Sequence, residues 1–241
     1  MRTVTLLIGV LVGAAIARAD LTTATCLAAK VKAWGRARTC EADEAGRVLK
    51  SLPADARRCQ TKLTAKLLAL SYRAAVVGVP CRFGDGGDGT VTDYDTGLQW
   101  EKKTDDGTVH DKDNLYAWVV IDGFPDIFTT FLRTLNRCES SDGTTGGQGF
   151  AGRCDWRIAT AAELRRILDA NAPGCGPSGA CLDTTVFGPT GVDFGAGLLE
   201  WSATNGQGDT GDAWVADLHT GRMTLSSVYN TGGVHAVRVR Y

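Results

Sequence analysis

The chain contains no Cys-x-x-Cys pair, although it carries eight cysteines in 241 residues. Zinc ribbons and thioredoxin-type redox sites need that spacing, so neither has a footing here. Beyond the first twenty residues no run is long and apolar enough to span a bilayer. Histidine is scarce: His110, His219 and His235 are dispersed, with no Cys or carboxylate at ligand spacing, so solvated or core-edge roles are expected rather than a zinc site. There is no Gly-x-Ser-x-Gly elbow, and Ser140, Ser141, Ser202, Ser226 and Ser227 have no recognisable base partner. Net charge is close to zero, with 26 Lys/Arg against 27 Asp/Glu. Nucleic-acid motifs and stacking platforms are missing, so no nucleic-acid partner is expected. Carboxylates are plentiful, but spacing selects no acid and base among them. No catalytic residue is assigned.

What is present begins with a secretory pattern. Arg2 supplies a positive start, residues 6–17 an apolar stretch shorter than a membrane span, and Ala17-Arg18-Ala19 a small-x-small cleavage site. The expectation is export, with cleavage after Ala19, to a secreted, periplasmic or cell-surface location. An even number of cysteines, all beyond that point, agrees with an oxidising compartment. Cys175 and Cys181 bracket a Gly-Pro-Ser-Gly turn and are expected to close on each other. Cys138 and Cys154 flank a Gly-rich loop and are expected to clip it.

Residues 20–82 differ in kind from the rest. Glycine is sparse, alanine and basic residues are abundant, and two helices are expected around a turn near Ser51-Leu52-Pro53. Cys26, Ala29, Ala33, Ala37 and Cys40 share one face of the first. Cys59, Leu63, Leu67, Leu70, Ala74 and Val77 stripe the second, which Gly78 and Pro80 end. Two antiparallel helices with cysteines near both ends favour nested bridges, Cys40–Cys59 and Cys26–Cys81. This hairpin holds twelve Lys/Arg against five Asp/Glu, net +7, whereas residues 83–241 hold twelve against twenty-two, net −10. Docking of one half on the other, a basic face toward an anionic envelope polymer, and two separately solvated surfaces all remain open.

From Phe83 onward glycine, aspartate and threonine indicate short strands and many turns. A hairpin runs through residues 89–93 and 98–101, followed by an extended piece at Tyr116 and Trp118. An amphipathic helix over 126–137 is expected to turn Ile127, Phe128, Phe131, Leu132 and Leu135 inward. Thr160 and Glu163 form a capping box that starts a second helix, over 161–170, with Leu164, Ile167 and Leu168 on its apolar stripe. Strands follow over 198–204, 213–218, 223–228 and 234–241, the last with Val237, Val239 and Tyr241 on one side and Arg238 and Arg240 on the other. Trp100, Trp156, Trp201 and Trp214 are expected in the core, with Trp34 and Trp118 unassigned. Arg157 is expected to reach a carboxylate or backbone carbonyls in a structural role. Helices beside antiparallel strands make the domain α+β.

Four blocks carry a family resemblance. They are Asp88-Gly89-Thr90-Val91-Thr92-Asp93 with Thr96-Gly97-Leu98-Gln99-Trp100; Asp155-Trp156-Arg157-Ile158 with Thr160 and Glu163-Leu164; Trp201-Ser202 with Thr204; and Ala213-Trp214-Val215 with Asp217 and Gly221, closing on Val237-Arg238. In this order, residues from about 85 to 241 resemble the Lcl C-terminal domain family, a bacterial module classed with C-type-lectin-like folds. The two C-terminal cysteine pairs resemble the bridges of its disulfide-bearing members. Ala159 replaces the usual proline, Glu200 stands where an aromatic commonly precedes the tryptophan, and His235-Ala236 stands where Tyr-Val is common.

The resemblance implies an extracytoplasmic binding or adhesion module, with a C-type-lectin-like domain of short antiparallel strands and two helices at residues 83–241, preceded by the disulfide-linked hairpin. The expected partner is an extracellular or envelope glycan or protein. No cofactor is required. Calcium enters as the minority reading of Asp85, Asp88 and Asp93 in the Gly-rich loop, against plain turn chemistry. The Glu-Pro-Asn, Gln-Pro-Asp and Trp-Asn-Asp sugar motifs of calcium-dependent lectins are missing. Two alternatives stay open: a relative of formylglycine-generating enzymes, which share the lectin-like core and need reduced thiols, and a purely structural envelope protein. The residues set no oligomeric state.

Overall fold

The computed structural model describes residues 21–138, 148–176, 179–191, 198–206 and 211–241. The expected secretory segment, and Ser140 and Ser141, lie outside the described residues.

The N-terminal hairpin consists of α1 (Thr23–Leu49) and α2 (Ala56–Val76). Thr22 caps α1 through a reciprocal pair with Thr25, and the Asp55 carboxylate caps α2 by accepting the Arg57 amide at 3.1 Å. Glu44, buried on α1, accepts the Asp55 amide at 2.9 Å and pairs with Arg58, so the first helix secures the start of the second. Ala33 and Ala37 face Leu63 and Leu67 in one apolar cluster, and Cys26 meets Leu70 and Ala74 in another. Bridges Cys26–Cys81 and Cys40–Cys59 close the two ends, in the nested pairing the spacing favours.

The rest is α+β, built on two five-stranded sheets. The first has the order β1-β2-β3-β10-β5 and is antiparallel throughout: β1 (Phe83–Asp85), β2 (Thr90–Asp93), β3 (Leu98–Glu101), β5 (Arg157–Ile158) and β10 (Ala236–Val239). The second has the order β4-β9-β6-β7-β8: β4 (Tyr116–Ala117), β6 (Leu199–Asn205), β7 (Asp212–Asp217), β8 (Arg222–Ser227) and β9 (Thr231–Val234). Here β6 and β9 pair parallel, an exception to the expected antiparallel pattern. The single C-terminal strand expected over 234–241 is two strands in two sheets, and the chain crosses between them at His235. Helix α4 (Ala161–Ile167) starts at the expected capping box, and α5 (Thr184–Phe187) adds a turn that the sequence reading missed.

Two corrections follow from local geometry. The expected helix over 126–137 is a π-helical segment, Ile127–Leu132, running into a short α-turn, α3 (Arg133–Leu135). The Phe131 amide reaches back five residues to the Asp126 carbonyl at 3.1 Å. That wider winding keeps Ile127, Phe131 and Leu135 buried but leaves Phe128 38% exposed. On β10, Val237 is in the core while Val239 is exposed, and the pairing with β5 covers only Ala236 and Val237. Arg238, on the opposite side as expected, is buried between Asp155 and Gln99.

One core cluster gathers Trp100, Leu164, Phe187, Ala216 and Val237; the other gathers Tyr116, Phe131, Trp156, Trp201 and Val234. Apart from Ala216, each of these side chains contributes roughly 1.5–3 kcal/mol by leaving water. The hairpin docks on this body. Lys30 of α1 is fully buried, and its three donors go to Ser71 of α2 at 2.7 Å, to the Cys81 carbonyl and to Asp95. Trp34 donates its indole N–H to the Tyr94 carbonyl at 3.0 Å and stacks on Tyr241. The structure thus places one half against the other, the first of the arrangements left open by the charge split.

Candidate functional site

A buried carboxylate lies where the two sheets meet. Glu101 ends β3 inside the core, fully buried. One oxygen accepts from Lys103 Nζ at 3.0 Å and His110 Nδ1 at 2.8 Å, and the other from the Ala236 amide at 3.1 Å. Burial alone would push its pKa up; the Lys103 ammonium and the His110 hydrogen bond outweigh that and hold it below the ordinary value. One residue away, His235 is hydrogen-bonded through Nδ1 to the Glu200 carboxylate of β6. Burial pushes the nearby Tyr116 phenol up to about 12. With Glu101 sealed from solvent, this group clamps the crossover between sheets.

The segment from Trp156 to Leu164, with its expected capping box and its structural arginine, forms as a unit. Arg157 holds Glu163 with two hydrogen bonds, at 2.8 and 2.6 Å, while Glu163 also accepts the Thr160 amide at 2.9 Å. Trp100, Trp156 and Trp201 are core residues; Trp156 donates to the Phe150 carbonyl and Trp201 to that of Tyr116. Trp214 is a correction: it lies half-buried outside both clusters, because β7 turns its alternate residues Ala213 and Val215 to the core. The bridges Cys138–Cys154 and Cys175–Cys181 form as expected, which leaves no free cysteine.

The structure does not gather the expected calcium ligands Asp85, Asp88 and Asp93. Asp93 is buried against Arg82 at 2.9 Å, Asp85 pairs with Lys102, and Asp88 accepts from its neighbour Thr90. Turn chemistry and ion pairs therefore use those oxygens. Among the described residues the acidic trio whose ligand atoms lie within 4.8 Å of one another is Asp105, Asp111 and Asp113. Asp111 already accepts three backbone amides there, and Lys112 pairs with both Asp105 and Asp113. An ammonium supplies the counter-charge that a metal would otherwise bring.

The segment from 115 to 128 offers something else. It leaves β4, turns through Gly123 at φ +86° and enters the π-helical segment, where Asp126 accepts the Phe128 and Thr129 amides at 2.9 and 2.7 Å. Along this path Leu115, Val120, Phe124 and Phe128 remain in water, Val120 at 74% and Phe124 at 55% exposure. Trp118 is half-buried, donates its N–H to the Ser202 carbonyl at 2.8 Å and meets the Phe128 ring edge-on. An anchored indole beside exposed aliphatic and aromatic groups suits a sugar's C–H face or an apolar protein side chain. The signal was available in the sequence as Phe124 and Phe128 next to Trp118, but helical periodicity counted Phe128 among the core residues.

A family model described as the Lcl C-terminal domain matches residues 89–240. It covers the strands of both sheets from β2 onward and every group described in this section except Asp85, Arg82 and Asp88. No curated protein matches the chain.

Proposed function

Because the chain belongs to the Lcl C-terminal domain family, we propose that it is an exported binding module of the envelope or extracellular space, whose Lcl domain holds a glycan or protein against the 115–128 face and performs no chemistry. The carrying observation is the set of exposed apolar side chains around Trp118, on a body otherwise fixed by bridges and buried ion pairs. Four disulfides support an oxidising location. The excess of acidic groups over 83–241 disfavours sulfated polymers, so a neutral or cationic ligand suits this surface better.

The bridging of all eight cysteines supports binding over a relative of formylglycine-generating enzymes, whose chemistry requires thiols. The test is an array of neutral, amino and sulfated glycans beside envelope proteins, probed with wild type and with a Val120→Ser/Phe124→Ser variant, in calcium and in chelator. Binding to neutral or cationic members that survives chelation and is lost in the folded variant is expected. Equal binding by the variant, or binding confined to sulfated members, contradicts the reading. Silence on every member favours a structural envelope component.

A further inference from the structure

The hairpin has a second flank that the Lcl domain leaves open. On an α-helix, residues two apart point in nearly opposite directions, and four apart in the same one. Lys30 and Trp34 of α1 face the domain; Lys32 and Arg36 face away from it, and Lys62 and Lys66 of α2 flank the same opening. Between these two pairs of cations runs a groove of about 400 Å³. Its floor is apolar and shallow, formed by Ala29, Ala33, Ala37 and Leu63. Among the described residues none of the four cations forms an ion pair. The hairpin therefore presents two rows of positive charge, each spaced by one helical turn, over small side chains that let another backbone come close.

We propose that this groove receives an acidic amphipathic helix of a partner protein, which completes a three-helix bundle with α1 and α2. Charge selects the occupant: a hairpin of net +7 calls for an anionic one. Spacing narrows it, since carboxylates four apart on both sides of an apolar stripe match the two cation rows turn for turn. A second copy of this chain does not supply such a helix among the described residues: its two long helices are the basic ones, and α4 spans seven residues with Arg165 and Arg166 in its last turn. This surface is independent of the 115–128 face.

The test measures anisotropy of a labelled helical peptide, with one leucine stripe flanked by glutamates, on the full chain. Controls are the same composition scrambled, polyglutamate, and anionic phosphatidylglycerol vesicles. Variants are Lys32→Glu/Arg36→Glu/Lys62→Glu/Lys66→Glu, which reverses exposed charges, and Ala29→Phe, which fills the floor without changing charge; circular dichroism confirms that each folds. Saturable, salt-sensitive binding of the amphipathic peptide is expected, weakened roughly tenfold or more in both variants. Equal binding of scrambled peptide or polyglutamate, vesicle binding with the same variant dependence, or self-association that the charge reversal abolishes would each overturn the proposal. So would an unchanged affinity in either variant.

Discussion

His235 hydrogen-bonds the carboxylate of Glu200 inside the protein, and both residues are buried. His235 is the one residue between β9 and β10, and Glu200 lies on β6 beside β9, so the pair fixes the step from one sheet to the other. A histidine or a glutamate alone at this depth would lack a partner. Together they are compatible with the core.

Removing either partner should therefore cost more than replacing both. Glu200→Ala or His235→Ala is expected to destabilise by about 3 kcal/mol, in the range for breaking a buried pair. The double variant Glu200→Phe/His235→Tyr, which replaces the pair with two aromatic side chains, should cost less than the sum of the single changes. Denaturant unfolding of the four proteins of this cycle measures the coupling. Additive losses would mean that the contact is incidental.

Docking of the hairpin rests on Lys30 and Trp34. Lys30→Ala leaves Asp95 and the Cys81 carbonyl without their shared ammonium, and Trp34→Ala removes the stack on Tyr241. Gly97→Ala is a third probe: φ is +73° and an added Cβ would lie 2.8 Å from the Trp34 ring. Each change should raise hydrogen exchange across α1 while β2 and β3 stay protected. Unchanged exchange in α1 for all three would remove the docking from the account.

Acid should loosen the ion pairs of Glu163 and Asp155. Burial would raise the Glu163 pKa, but Arg157 and the Thr160 donors hold it below the usual 4.5, and the hydrogen bond from Arg238 holds Asp155 below the usual 3.8. A carboxylate depressed on folding contributes stability that is complete above its ordinary pKa and is lost as pH falls through the folded value. The melting temperature should thus fall from about pH 4.5 downward, and less steeply in Glu163→Gln than in wild type. Parallel acid limbs for the two proteins would contradict this.

Much of this was legible in the sequence for physical reasons. Cysteines at the ends of two amphipathic stripes allow one simple nesting, and Thr160 with Glu163 is a local signal that needs no tertiary partner. Partners across the fold were not legible. Nothing in Thr231–Val234 announces parallel pairing with Leu199–Asn205, and Glu101 at the end of a four-residue strand reads as a solvated terminus until Lys103, His110 and Ala236 close over it. Phe128 was misplaced because the winding, and with it the period, changes to π. The three aspartates of the Gly-rich loop illustrate the same limit, since the cations that use two of them, Arg82 and Lys102, come from outside the loop.

The most direct test of the proposed bridged binding body is the thiol count of the folded protein, with peptide mapping of its cross-links. The account predicts no titratable thiol before reduction and the four links Cys26–Cys81, Cys40–Cys59, Cys138–Cys154 and Cys175–Cys181. A reactive pair of free cysteines in the native protein would contradict it and return the enzyme reading to first place.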